Sequence, residues 1–252
     1  MIDAHCHLDL GDAAASLAAG RAAGVTGAVL AGVDPEGWAR QAALVKAHPE
    51  LHCTFGLHPW TVAAAHDDEV SGLLAALEGA LDGGLGVVPV GLGELGLDHG
   101  RRGPKPTRAR QEAVFRAQLR LARARGLPLV LHVVAAPGKA LDVLAEEGGG
   151  WRGLVHRYSG PEELVGNYID MGLHLSFGAE LLYKPRLLAA IRRVPLERLL
   201  LETDAPDQLP DGSRVDLDAL PRVLEAAAAA RGEASDVLGA ATAQNTRRLF
   251  GL

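Results

Sequence analysis

Cysteine is scarce in this chain: Cys6 and Cys53 are the only two in 252 residues. That is too few for a disulfide framework, and both read as reduced, buried small side chains. Aromatic residues make up 4%, so the interior must be packed by Ala, Leu and Val. No apolar run approaches the ~18 residues of a membrane span. The opening Met-Ile-Asp-Ala-His has neither the basic nor the apolar region of a secretory signal, and a cytoplasmic location is expected. Positive charge is also short. Against 31 Asp and Glu stand 25 Lys and Arg, a net charge of −6, which argues against a protein that wraps a long stretch of nucleic acid. An anionic substrate would need local cations. Their densest source is Arg101, Arg102, Lys105, Arg108 and Arg110, interrupted by Gly103, Pro104 and Pro106, whose plainer reading is a solvated loop entering a helix.

Several motifs are missing as well. There is no P-loop, nucleophile elbow or Cys-pair zinc motif. "GLGELG" at 91–96 spells a dinucleotide fingerprint, but such a fingerprint must open a helix directly, and Asp98, Gly100, Gly103, Pro104 and Pro106 follow instead. The glycines are better explained as letting backbone crowd around Glu94.

What the chain does have is 48% hydrophobic residues and 31 glycines, enough for one substantial core with many tight strand-to-helix turns. Short apolar runs at 2–8, 26–31, 52–57, 87–93, 127–133, 153–156, 173–177 and 199–203 alternate with Ala/Leu/Arg-rich helical stretches. Several runs are continuously apolar, as parallel strands buried on both faces are. "RQEAVFRAQLRLARARG" shows the helical period, with Val114, Leu119, Leu121 and Ala122 on one side and Gly126 as the stop. Two further helices are expected at 217–230 and 234–249. No compositional break marks a linker, so the fold class expected is α/β, a (β/α)8 TIM barrel spanning 1–252 as one domain. An open doubly wound sheet is the alternative.

Polar residues fall at the ends of these strands. In "IDAHCHLD", His5 and His7 are two apart and project to one side while Cys6 turns away. Glu94 ends the fourth strand, His132 lies in the fifth, His156 at the sixth and Asp204 at the eighth. Each has a plain reading alone: His132 as a hydrogen-bonded core histidine, Glu94 as an arginine's partner, Asp204 as a turn cap before Pro206. Taken together, six metal-capable side chains from five strands converge on the barrel face where catalytic groups gather, and a cation is the usual compensation for carboxylates in apolar surroundings. His48, His66, His99, His52 and His174 read as structural.

With these residues in place, the chain resembles the TatD family of metal-dependent hydrolases, in the amidohydrolase superfamily. The likeness runs through "DAHCHLD", "GLHPW", "GELGLD", "QLRLARARGLPLVLH", "HRYSG", "LLLETDAP" and "NTRRLF" in order. It implies a two-metal site, with His5, His7 and Asp204 on one ion, His132 and His156 on the other, and Glu94 bridging. Asp204 would orient or deprotonate the attacking water, so Asp204 and Glu94 are the catalytic candidates. The ligand types suit zinc, manganese, iron or nickel, with magnesium held more loosely. His58 would lie near a substrate phosphate, its plainer reading being a turn residue before Pro59, and Arg101, Arg102 and Arg157 are candidate phosphate contacts. The family's activity makes a deoxyribonuclease acting on DNA ends the expected function, with no membrane or obligate protein partner.

The chain also departs from the family pattern. "HVVAA" stands where His-Ser-Arg-Asp is usual, "GLDHG" where "GLDYY" is common, and "DQLPDGSRVDLDALP" lacks the usual Asn-Glu-Pro stretch. These departures spare the metal candidates and fall on the substrate side. An amide or ester hydrolase of a small molecule is therefore the second reading, and a non-enzymatic metal-binding scaffold the third.

Overall fold

The computed structural model describes residues 1–100 and 105–252. Arg101 and Arg102 lie outside the described residues. Eight strands pair in parallel in chain order: β1 (Ile2–Cys6), β2 (Gly27–Ala31), β3 (Leu51–Phe55), β4 (Gly91–Asp98), β5 (Leu129–Val134), β6 (Gly153–Val155), β7 (Leu173–Phe177) and β8 (Leu199–Leu201). The residues after β8 join the ring to β1. Asp204 N donates to His5 O at 3.0 Å, His7 N donates to Ala205 O at 2.6 Å, and Thr203 Oγ1 donates to Asp3 Oδ2 at 2.6 Å. The fold is a (β/α)8 barrel.

Helices α1 (Ala13–Ala22), α2 (Pro35–Ala47), α3 (Pro59–Ala64), α4 (Val70–Gly79), α5 (Arg108–Arg125), α6 (Pro137–Glu146), α7 (Val165–Asp170) and α8 (Arg186–Arg193) lie between strands, and α9 (Leu220–Arg231) and α10 (Ser235–Phe250) follow the barrel. A short antiparallel pair, β9 (Asp207–Gln208) and β10 (Arg214–Val215), forms in the loop after β8. Among the described residues no helix is long and apolar enough to cross a membrane.

One strand differs from the sequence expectation. The run at 87–93 was expected to be the fourth strand, but pairing runs from Gly91 to Asp98. Pro89 has no N–H to donate and Val88 is 79% exposed, so the ladder starts later. It then runs on through Gly96, whose φ of +142° and whose would-be Cβ, 2.1 Å from His132 O, admit only glycine.

Each strand has two faces. Leu30, Phe55, Leu131 and Leu175 pack outward against the helices. Val29, Val130, Leu154 and Leu200 fall on the inner face, where they meet Leu249 and Phe250 of α10. A Cβ on Gly91, at the start of β4, would lie 3.3 Å from the Phe250 ring, so α10 floors the barrel at the amino ends of its strands.

Two ladder irregularities interrupt the alternation. On β1 the pairing steps from Asp3↔Ala28 to Cys6↔Leu30, so Ala4 and His5 together stand opposite Val29. On β4 it steps from Gly93↔Val130 to Leu95↔Leu131, leaving Glu94 as an extra residue. Such bulges re-aim a side chain, and here both bulged stretches contain a candidate ligand.

On α5, Val114, Phe115, Gln118, Leu119 and Ala122 are buried while Leu121 sits at the edge of the core, and Gly126 ends the helix in the left-handed region at φ 63°. Gln118 on that buried face binds both Leu57 N and Leu57 O, at 2.8 and 3.1 Å, which fixes the turn carrying His58. Two basic residues in the first turn of α5 serve the fold: Arg110 pairs with Asp67 at 2.7 Å and Arg108 donates to His99 O at 3.0 Å.

Candidate metal centre

The inner face changes character two residues after the floor. Val130 is followed on that face by His132, Leu154 by His156, and Leu200 by Glu202 and then Asp204, while the bulges bring in His5 and Glu94. The structure thus brings all six candidate ligands together at the carboxyl ends of the strands.

They form two groups that share Glu94. In the first, His5 Nε2 and His7 Nε2 are 3.2 Å apart, both lie 3.4 Å from Asp204 Oδ1, and they lie 3.5 and 3.3 Å from Glu94 Oε2. An ion with tetrahedral bonds of about 2.1 Å holds its ligand atoms about 3.4 Å apart, so the donor set and its spacing fit a divalent cation. In the second, Glu94 Oε1 lies 2.6 Å from His132 Nδ1 and 2.7 Å from His156 Nε2, which are 3.1 Å from each other. Glu94 therefore turns one oxygen to each group.

The far nitrogens of three of these rings face acceptors, while His5 Nδ1 is buried without a hydrogen-bond partner among the described residues. His7 Nδ1 donates to Ala31 O at 3.0 Å, which leaves the Nε2 lone pair facing the site. His132 Nε2 faces Asp98 Oδ2 and His156 Nδ1 faces Glu202 Oε1, each at 3.5 Å. Carboxylates behind histidine ligands fix the tautomer in the same way and raise the basicity of the inner nitrogen.

His58 is different in kind. Its Nε2 lies within the second group, 3.1 Å from His132 Nδ1 and 3.4 Å from Glu94 Oε1, yet its Nδ1 accepts the Trp60 N–H at 3.0 Å. A neutral ring that accepts at Nδ1 carries its proton on Nε2. Burial presses the His58 pKa down to about 4, so the ring is neutral near pH 7 and points an N–H donor into the site.

The electrostatics favour cations strongly. Burial opposes ionisation of Glu94, but His156, His58, His5 and the His132 contact outweigh it and hold the carboxyl well below its ordinary range. Asp204 is likewise held down against burial by its contacts with His5 and His7. Burial is also outweighed at His7, where Asp204 and Glu94 raise the imidazole to about 10, and His132 and His156 are raised by their carboxylates in the same way. A field that retains protons on imidazoles will accept a dication in their place.

Above the centre opens a pocket of about 730 Å³. Arg157, from the loop after β6, spans its edge. Its NH1 donates to Asp204 Oδ2 at 2.6 Å and its NH2 to Asp207 Oδ2 at 2.7 Å, Nε meets Glu180, and the backbone N donates to Glu202 Oε1 at 2.7 Å. The guanidinium expected to meet a substrate phosphate is thus committed to three carboxylates, one of them Asp204.

Sequence reasoning passed over Asp98, Glu202, Glu180, Trp60 and Lys184. Two of these left a signal, since Asp98 and Glu202 are carboxylates inside the apolar runs "GELGLD" and "LLLETDAP". His48, His66, His99, His52 and His174 contribute nothing to the centre.

A parallel barrel whose mouth is filled with imidazoles and carboxylates defines the class of barrel hydrolases that work through bound metal. Comparison with known proteins sharpens this. Residues 2–251 match the family described as TatD related DNase. The uncharacterized metal-dependent hydrolase YjjV of Escherichia coli K12 is 32% identical over 99% of this chain and 97% of its own length. The crystal structure of that TatD homologue gives a TM-score of 0.90 at 31% identity, covering 100% of this chain and 98% of the other. A Cronobacter sakazakii protein named 3'-5' ssDNA/RNA exonuclease TatD is 34% identical over 93% of this chain and 90% of its own. The chain belongs to the TatD family of metal-dependent hydrolases.

Proposed function

We propose that the chain is a phosphodiesterase that trims an end of single-stranded DNA in the cytoplasm, using two divalent ions, with zinc, manganese and magnesium as the candidates. The observation that carries this reading is Glu94 turning one oxygen to each of two groups of imidazoles. His5, His7 and Asp204 would hold one ion, His132 and His156 the other, and Glu94 both. When bound, such ions supply Lewis acidity and lower the pKa of water.

The chain's own residues do the rest. Asp204 Oδ1 faces the first group while Arg157 holds Oδ2, so the carboxylate is fixed to accept the proton of an attacking water. Nε2 of His58 donates toward the charge that builds on a phosphoryl oxygen. Asp98 and Glu202 keep His132 and His156 turned inward. Similarity to proteins named 3'-5' exonucleases makes the 3′ end the expected point of attack.

The test is incubation of the protein with end-labelled single-stranded DNA and a panel of divalent ions, with Glu94→Ala as the control for contaminating nuclease. A metal-dependent ladder that is absent in the variant supports the reading. Intact DNA under every ion removes it.

A second reading, hydrolysis of an amide or ester in a small molecule, is favoured by one observation. Val133 and Val134 line the pocket beyond His132, Arg157 is held by Glu180, Asp204 and Asp207, and Lys184 lies 3.6 Å from Glu180, so among the described residues both cations lining the pocket are already paired with carboxylates. Amide or ester turnover far above phosphodiester turnover in a mixed screen would select it.

A further inference from the structure

Glu202 is a carboxylate with no exposure to solvent. It follows Leu200 of the floor and precedes Asp204 of the first ligand group on the same inner face, so it stands one layer beneath the metal centre. One of its oxygens is accounted for. Oε1 accepts the Arg157 backbone N–H at 2.7 Å and faces His156 Nδ1 at 3.5 Å, while the Glu202 N–H donates to Phe177 O at 3.1 Å. The other oxygen is not. Oε2 is buried with no hydrogen-bond partner among the described residues, His5 Nδ1 is in the same condition, and His156 Nδ1 falls short of a hydrogen bond at its 3.5 Å.

These atoms belong to residues that form one cluster. A nitrogen of His5, a nitrogen of His156 and an oxygen of Glu202 all lie within 4.8 Å of one another. The two imidazoles stack nearly parallel, 3.9 Å between centroids and 12° apart in plane, so a group that sets the rotation of one ring bears on the other. The order of strands accounts for the meeting. The segment after β8 joins β1 across the seam, and β8 stands between β1 and β6 with β7 at its other side. Yet the two rings serve different groups at the mouth: His5 Nε2 faces Asp204 and Glu94 Oε2, and His156 Nε2 faces Glu94 Oε1.

We propose that Glu202 is a positioning residue shared by both metal groups, its carboxylate holding the Nδ1–H of His5 as well as that of His156, so that each ring turns Nε2 to its own ion. The inference rests on the two-ion reading. A carboxylate behind a histidine ligand fixes the tautomer and raises the basicity of the inner nitrogen; one carboxylate behind a ligand of each ion makes the two sites gain or lose affinity together. It also accounts for a fully buried charge with an unpaired oxygen, which is costly alone and is compensated by two cations beyond the rings. Asp98 is the contrast, because the ligand it faces, His132, belongs to the second group only.

The first test titrates the metal-free protein with zinc in competition with a chelator and reads the affinity of each ion in the wild type, Glu202→Gln, Asp98→Asn and Phe250→Ala. Gln keeps an acceptor for the Arg157 N–H and nearly the same volume, so this change removes the charge and little else. Glu202→Gln should weaken both ions about 10–100-fold, and Asp98→Asn only one of them by that factor. Phe250→Ala, altered at the floor away from the ligands, should bind both ions as the wild type does, which separates an effect on the ligands from a general loss of stability. Weakening of one ion only in Glu202→Gln, or equal weakening in Phe250→Ala, overturns the proposal and leaves the two-ion reading standing. Uptake of a single ion by the wild type removes that reading and the proposal with it. The second test needs no variant of Glu202: in the zinc-loaded wild type, 15N-edited NMR of the imidazoles should find the Nδ1–H protons of both His5 and His156 shifted downfield, as protons bound to a carboxylate are. A downfield signal from His156 alone overturns the sharing.

Discussion

Histidines on the inner face of the barrel behave oppositely at its two ends. His52 and His174 lie at the level of the floor, opposite Val29 and Leu154 in the ladder. Burial lowers both, and His174, with Arg198 nearby, falls to about 4. At the mouth, burial acts on His7, His132 and His156 in the same direction, yet all three are raised. Burial lowers all of these rings; at His7, His132 and His156 the carboxylates outweigh it, whereas at His58, in the turn beside them, burial prevails and the pKa stays at about 4. The floor is closed by Leu249 and Phe250, and no carboxylate acts on His52 or His174, whereas Glu94, Asp98, Glu202 and Asp204 stand among the mouth histidines. A shift of two residues along one strand separates a packed hydrocarbon layer from a cation-accepting one, so stability and chemistry can be attacked separately.

The largest expected effect is at the mouth. Glu94→Ala should abolish turnover by on the order of 10³-fold or more while removing the shared ligand, and metal analysis of the purified variant should find the pair of ions lost. Asp204→Asn should lose turnover more than metal. Full activity with full metal content in both would break the assignment of the centre. At the floor, Phe250→Ala should cost about 3–5 kcal/mol of stability by leaving a cavity, read by denaturant unfolding, while kcat per folded molecule holds. A variant that unfolds no more easily but turns over poorly would erase the distinction between the two ends.

Smaller effects sharpen the contrast. Asp98→Asn leaves the inner ligands in place but takes the charge from behind His132, and should weaken metal affinity about 10–100-fold, as loss of outer carboxylates does; competition with a chelator measures it. The smallest effect concerns His174. Its folded pKa of about 4 lies below the ordinary 6.5, so as pH falls through that window the unfolded chain takes up the proton first, and stability is lost progressively from about 6.5 toward 4. His174→Gln should flatten the dependence of Tm on pH there. An equally steep profile in the variant would place the acid sensitivity elsewhere.

The order of strands and the gathering of His5, His7, Glu94, His132, His156 and Asp204 at one face were legible in the sequence because strand periodicity is local and barrel mouths collect strand ends. The bulges were not legible: an extra residue in a ladder leaves no mark on a chain whose partner strand is unknown. For the same reason β4 was set too early, its apolar run extending across Pro89. Arg157 read as a free cation because its partners, Glu180, Asp204 and Asp207, are 23, 47 and 50 residues away. Trp60 escaped notice because an aromatic residue between Pro59 and Val62 reads as core, and its exposure is set by the pocket beside it.

The seam of the barrel gives the centre a mechanical meaning. Asp3 meets Thr203 across 200 residues of chain, and the same seam carries His5 and His7 on one side and Asp204 on the other. A cation held there, as proposed above, would also be a clasp between the two ends of the ring, and its departure would loosen that seam. Chelation should therefore register first as faster amide exchange along β1 and the segment after β8, before any strand elsewhere in the barrel responds.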